Sequence, residues 1–155
     1  MADEIERKFL VPDAPGPGEL GSGTRIRQGY VALDGDVEVR VRLLDDGARL
    51  TVKAGSGLVR TEVEVPVGEH EGRQLWDHAA GRRIDKVRYR RDLGADLVAE
   101  VDLYEGALAG LCTVEVEFPD AARAAAFEPP AWFGRELTGD RRWSNAALAC
   151  DGLPS

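Results

Sequence analysis

The 155-residue sequence predicts a β-rich (α+β) fold in which eight antiparallel strands form a closed β-barrel with exterior helices. Three observations carry this expectation: eight segments of period-two alternation, Gly-containing tight turns between consecutive segments, and helical stretches that follow strands rather than alternating with them. An even number of antiparallel strands can close without leaving an unpaired edge.

Alternation marks strands at about 4–11, 25–33, 37–44, 48–54, 58–66, 82–91, 96–104 and 110–118. Asp34-Gly35-Asp36, Asp45-Asp46-Gly47 and Gly55-Ser56-Gly57 separate four of them in succession, and Asp92-Leu93-Gly94-Ala95 separates a later pair, so hairpins make the sheet mostly antiparallel. Between the first two strands, Pro12 to Gly23 is rich in Pro and Gly with little to bury, and is expected to be a flexible loop placed to move over an opening. Helices are expected at about 68–80 ending at Gly81, at 119–126 ahead of Pro129-Pro130, and at 140–149 with Asp140 as N-cap. Neither a linker nor a compositional break divides the chain, which implies a single domain over 1–155.

Composition removes several classes of function. A net charge of −8 argues against a nucleic-acid partner, since phosphate-backbone binding rests on an exposed excess of Lys and Arg. No apolar run reaches the roughly 18 residues a membrane helix needs, so no membrane partner is expected. The charged start, Met1 to Lys8, lacks the apolar core of a secretory signal and implies a cytoplasmic location. Cys112 and Cys150 have no C-x-x-C spacing and read as reduced thiols, while His70 and His78 lie eight apart without a neighbouring ligand. Neither Gly21-Ser22-Gly23-Thr24 nor Gly55-Ser56-Gly57 is followed by Gly-Lys-Ser/Thr, and there is no G-x-S-x-G.

The chemistry lies in the alternation itself. Residues two apart on a strand share a face. Glu4, Glu6 and Lys8 therefore oppose Ile5 and Phe9, and Glu38, Arg40 and Arg42 oppose Val39, Val41 and Leu43. The pattern recurs in Glu62 and Glu64, in Lys86, Arg88 and Arg90, in Glu100 and Asp102, and in Glu115 and Glu117. An ordinary solvent face mixes Thr, Ser and Lys with scattered charge, whereas these polar positions are nearly all charged. With the apolar face outward under helices, the charged face would line a wet lumen whose carboxylates and cations neutralise each other or bound ions. Clustered carboxylate oxygens suit Mg²⁺ or Mn²⁺, and neighbouring Arg and Lys suit phosphate oxygens.

These residues resemble the CYTH domains, or triphosphate tunnel metalloenzymes, in their short bacterial form. Glu4-Ile5-Glu6-Arg7-Lys8 matches the family's E-x-E-x-K signature near the N-terminus. Val39 to Leu43, Leu50 to Lys53, Thr61 to Glu64, Ile84 to Tyr89, Glu100 to Gly106 and Val114 to Phe118 follow in the family's order, and Gly134 to Asn145 resembles its tail. The resemblance implies an eight-stranded tunnel with a C-terminal plug helix around 140–148, where Trp143 stands in place of an expected Tyr. It implies metal held by Glu4, Glu6 and Glu117, with Glu62, Glu64, Asp102 and Glu115 serving a second metal or its waters, and Glu62 and Glu64 thereby in the catalytic set. Lys8, Arg40, Arg42, Lys53, Lys86 and Arg88 would bind the substrate's phosphates, and Lys86 would also orient the attacking water. The expected activity is Mg²⁺- or Mn²⁺-dependent hydrolysis of a small-molecule linear triphosphate, inorganic tripolyphosphate above all, by a monomer or homodimer. An adenylyl cyclase of the same fold, a thiamine triphosphatase and a non-catalytic triphosphate binder are the alternatives.

Overall fold

Every alternating segment becomes a strand: β1 (Ile5–Leu10), β2 (Thr24–Asp34), β3 (Val37–Leu44), β4 (Gly47–Ala54), β5 (Thr61–Val67), β6 (Arg83–Gly94), β7 (Leu97–Tyr104) and β8 (Cys112–Phe118). The computed structural model describes residues 5–16, 18–55 and 61–155. The expected strand positions at Glu4 and at 58–60 lie outside the described residues. All pairings are antiparallel, and the eight strands form one sheet in the order β1-β8-β7-β6-β2-β3-β4-β5.

Hydrogen-bonded closure of the barrel is an architectural expectation that changes. Among the described residues β1 and β5 stand at opposite ends of the order with no ladder between them. The free edge of β1 is taken instead by the C-terminal segment: Gly134 N donates to Leu10 O, Leu10 N to Arg135 O, Leu137 N to Lys8 O, and Lys8 N to Thr138 Oγ1. Backbone groups already bonded in this way cannot also pair with β5. β5 is the open edge, exposed from Thr61 to Pro66.

The apolar face is outward and covered. Helix α1 (Glu69–Asp77) packs with Leu75 and Trp76 on Val41, Leu43 and Ala48, and Gly72 lies so close to Ala48 that a side chain there would collide with it. Helix α2 (Ala121–Ala126), capped by the Asp120 side chain, covers the β1–β8–β7 side with Phe9, Val114, Val116, Phe118, Phe127 and Phe133. In the Pro12–Gly23 loop Leu20 packs against the same outer cluster.

The third helix starts later than expected. Asp140 caps a 3-10 turn, Arg141–Trp143, and Ser144, in extended conformation, then caps α3 (Asn145–Asp151) through its side chain. Trp143 and Leu148 bury against Ile84, Tyr104, Leu108, Leu111 and Leu137, and Ile84 and Tyr104 belong to the inner face of the sheet. The C-terminal segment therefore plugs one end of the space that the sheet surrounds.

Candidate active site

Residues directly opposite one another in an antiparallel ladder share a face, so register identifies the inner surface strand by strand. Glu6 faces Glu117, Lys8 faces Glu115, Glu115 faces Glu100, Asp102 faces both Thr113 and Arg88, and Arg90 faces Glu100. Tyr30 faces Arg40, Gln28 faces Arg42, and Arg40, Arg42 and Glu38 face Thr51, Arg49 and Lys53, which in turn run to Glu64, Pro66 and Glu62. Every predicted site residue among the described ones lies on this surface; Glu4 lies outside them. Both covering helices are on the other side, yet Gln28, Thr51, Lys86, Asp102 and Thr113 are buried. Polar side chains can be shut from solvent on the uncovered face only because the sheet wraps around them and the C-terminal segment closes one end.

The inner surface is divided by charge. β1, β8 and the first half of β7 present Glu6, Glu117, Glu115 and Glu100, whereas β6, β3 and β4 present Lys86, Arg88, Arg40, Arg42, Arg49 and Lys53. Within these walls like charges stand directly opposite: Glu6 and Glu117, Glu100 and Glu115, Arg42 and Arg49. Such pairs destabilise a sheet unless something of opposite charge lies between them. Cations and carboxylates from neighbouring positions answer some of them at length: Lys8 Nζ lies 3.6 Å from Glu115, Arg90 and Arg88 lie 3.3 and 3.5 Å from Glu100, and Arg49 lies 3.7 Å from Glu64. Lys8 also donates to the Trp143 carbonyl oxygen at 2.7 Å, which ties it to the plug.

The basic wall holds cations that protein groups only partly satisfy. Arg40 is 9% exposed and its buried Nε has no hydrogen-bond partner. Arg42 donates through Nε and Nη2 to Gln28 Oε1, a neutral acceptor, and its guanidinium is brought down to about 10 by burial and then by repulsion from Arg40 and Arg88. Gln28 Nε2 in turn donates to Tyr30 Oη, whose proton is held more tightly, to about 12, by burial. A buried guanidinium without a full set of acceptors is a ready receptor for phosphate oxygens.

Lys86, Asp102 and Arg88 form the most enclosed charged group. Lys86 is 0% and Asp102 1% exposed. Lys86 Nζ donates to Asp102 Oδ2 at 2.7 Å, while Arg88 donates from Nε to Oδ1 at 2.8 Å and from Nη2 to Oδ2 at 2.9 Å. Burial pushes the Lys86 ammonium down to about 8 against the attraction of Asp102. For Asp102 burial acts upward, but Lys86 and Arg88 together overcome it and hold the carboxyl at about 2. Asp102, expected with the metal carboxylates, is thus bonded on both oxygens to cations.

β5 contributes at its open edge. Glu64 accepts from Thr51 Oγ1 at 3.2 Å and lies 3.7 Å from Arg49, and Glu62 lies 3.8 Å from Lys53. At the plugged end Tyr104 Oη donates to Asn145 Oδ1 at 2.7 Å. Sequence reasoning left Glu100 out of the site and did not single out Gln28, Arg49, Thr51, Tyr104 or Thr113. Counting in twos from Glu115 and Lys53 along the strands would have found Thr113, Thr51 and Arg49; pairing Glu100 with Glu115 needed the register.

Among the described residues no three His, Cys, Asp or Glu converge into a ready metal-ligand group. The donor set nevertheless suits Mg²⁺ or Mn²⁺ bound in company with substrate, because Mg²⁺ keeps several waters and is held by one or two carboxylates plus phosphate oxygens. Opposed Glu6 and Glu117, with Glu115 next along β8, offer that many hard oxygens. No helix among the described residues is long and apolar enough to cross a membrane.

No family model matches the sequence. An inorganic triphosphatase of Nitrosomonas europaea is 42% identical over 147 residues, spanning 94% of this chain and 96% of that protein. An inorganic triphosphatase of Acetivibrio thermocellus is 38% identical over 150 residues, spanning 96% and 94%. The crystal structure of the inorganic triphosphatase NE1496 superposes with a TM-score of 0.77 at 38% identity, covering 99% of each chain.

Proposed function

The chain belongs to the inorganic triphosphatase family, being 42% and 38% identical over nearly its whole length to two proteins of that name, and on that premise we propose that it hydrolyses inorganic tripolyphosphate to diphosphate and phosphate with Mg²⁺ or Mn²⁺. Within the CYTH resemblance this is a reading for the short bacterial form. The observation that carries it is the facing of an acidic wall with opposed Glu pairs towards a basic wall with a buried, incompletely bonded Arg40. A polyanion alone would be held by Arg40, Arg42 and Arg49 against repulsion from Glu6, Glu115 and Glu117, and a cation alone by those carboxylates against the arginines, whereas a metal–triphosphate complex satisfies both walls.

In this reading Glu6, Glu117 and Glu115 hold the metal, together with Glu4. When bound, the metal neutralises phosphoryl oxygens and lowers the cost of charge developing there. Arg40 and Arg42 take phosphate oxygens on the opposite wall, with Lys53 and Lys8 at its flanks. Hydrolysis of a phosphoric anhydride calls chiefly for in-line positioning and charge neutralisation, so a surface without a nucleophilic Ser or Cys suffices. Water enters from the β5 side, where Glu62 and Glu64 are positioned to accept hydrogen bonds from it. The C-terminal plug closes the other end against a continuous channel.

The test is to incubate the purified chain with tripolyphosphate, ATP or thiamine triphosphate, each with Mg²⁺, Mn²⁺ or EDTA, and to measure phosphate, diphosphate and cyclic AMP. Metal-dependent phosphate release favouring tripolyphosphate is the expected result. Cyclic AMP with diphosphate, a preference for thiamine triphosphate, or tight binding without turnover would each replace the proposal.

A further inference from the structure

We infer that Asp102 is a positioning residue, setting Lys86 and Arg88 as one preorganised cationic unit against the substrate, and is not a metal ligand; the inference rests on the triphosphatase reading above. Asp102 sits between β8 and β6 in the ladder, opposite Thr113 on one side and Arg88 on the other. Its carboxylate receives three donors, one from Lys86 and two from Arg88, so each oxygen carries at least one charge-assisted bond.

A metal that took Asp102 Oδ2 would displace the Lys86 ammonium. That ammonium is fully buried, 5.5 Å from the Tyr104 ring, with Ile26 opposite Lys86 on β2, and among the described residues Asp102 is its one hydrogen-bonded partner. Breaking a buried pair leaves an uncompensated charge, which is far costlier than keeping the pair. The acidic wall is different: Glu117 is exposed, and among the described residues the ion pair of Glu115 is a long one, with Lys8 at 3.6 Å. Metal therefore has carboxylates on β8 to meet without dismantling the Lys86–Asp102–Arg88 group.

The same bonds decide which atoms remain for substrate. With Nε and Nη2 of Arg88 committed to Asp102, Nη1 is left, among the described residues, with a 3.5 Å contact to Glu100. Asp102 thus fixes the plane of the guanidinium and leaves Nη1 as its least engaged nitrogen. The unit as a whole carries one net positive charge, as Lys86 and Arg88 are offset by one carboxylate. Preset donors of this kind act in the transition state without reorganising, and in phosphoryl transfer that accounts for much of the rate.

The experiment compares the full chain with Asp102→Asn, Arg88→Lys and Glu117→Gln. Mn²⁺ binding is followed by electron paramagnetic resonance, tripolyphosphate binding with EDTA by calorimetry, and kcat and KM with Mn²⁺ by phosphate release. Asp102→Asn is expected to bind Mn²⁺ and tripolyphosphate with unchanged stoichiometry and no loss of affinity, while kcat falls about tenfold or more without a rise in KM. Arg88→Lys, which keeps the charge but loses the fork, should show a kcat deficit of the same kind, and it carries the test if Asp102→Asn fails to fold. Glu117→Gln should be the variant that weakens Mn²⁺ binding. Loss of Mn²⁺ affinity in Asp102→Asn would make Asp102 a ligand and overturn the inference, and a lowered binding stoichiometry would reduce it to a structural residue. If the parent chain binds but does not hydrolyse tripolyphosphate, the proposed function fails, while the Mn²⁺ titration still decides whether Asp102 is a ligand.

Discussion

Glu6 stands directly opposite Glu117 across the β1–β8 ladder, two carboxylates on the same inner face. Side chains so placed have Cβ atoms about 5 Å apart, and like charges at that position destabilise the sheet by a few tenths to about 1 kcal/mol. Glu117→Gln is therefore expected to hold or slightly raise the thermal midpoint of the metal-free protein while sharply lowering metal-dependent activity. A variant that is less stable without metal and fully active would show that this pair is not where the ion binds.

Arg40 gives a parallel expectation for the basic wall. Its buried Nε lacks a partner, so Arg40→Met removes an incompletely satisfied charge and should be close to neutral for stability. Tripolyphosphate affinity should nonetheless fall about tenfold or more, as expected for a lost charge-assisted contact. Calorimetry with tripolyphosphate in EDTA, paired with a melting curve, measures both. Unchanged affinity would place the phosphates elsewhere.

The plug is latched by Tyr104 Oη donating to Asn145 Oδ1 and by Lys8 Nζ donating to the Trp143 carbonyl. Tyr104→Phe deletes the first bond and strands the Asn145 acceptor, at a cost of about 1 kcal/mol. Hydrogen exchange at the amides of 145–151 should quicken in this variant more than exchange in β7. Equal protection of α3 in both proteins would mean that apolar burial of Trp143 and Leu148 alone holds the plug.

Arg7 lies on the outer face and clamps the C-terminal segment to β1, donating to both Glu136 oxygens and to the Ala124 and Phe127 carbonyls. The Arg7 hydrogen bond, opposed by partial burial, holds the Glu136 carboxyl below its ordinary 4.5. A depressed folded-state value means that the stabilisation is complete above about 4.5 and is lost as pH falls through the lowered value. Glu136→Gln should therefore melt lower than the parent at neutral pH, by up to about 1 kcal/mol for a partly exposed pair, with the gap closing in acid. A gap that widened as pH fell would refute this assignment.

What could be read from the sequence was whatever has period two. Alternation separated Glu38, Arg40 and Arg42 from Val39, Val41 and Leu43 before any strand was paired, because successive residues of a strand point to opposite faces however the chain folds. The order of charges along β1, β3, β6 and β8 was likewise legible, and so were the turns after β2 and β3, whose Gly and Asp residues act locally, while Gly55-Ser56-Gly57 runs outside the described residues. The 3-10 turn at Arg141–Trp143 was not legible, since Asp140 and Ser144 are both acceptable caps and only the burial of Trp143 and Leu148 decides between them.

The sequence by itself determined the strands, the two faces and the kinds of charge the inner one would carry. Tertiary structure alone decided which charges meet. Register set Glu100 beside Glu115 and Arg42 beside Arg49, and the C-terminal segment took the edge of β1 that β5 would have needed for a closed ladder. It also turned Asp102 from one carboxylate among many into the shared acceptor of Lys86 and Arg88. Local sequence cannot specify such pairings, because residues distant along the chain become neighbours only when the strands align, and a shift of one residue would send each side chain to the opposite face.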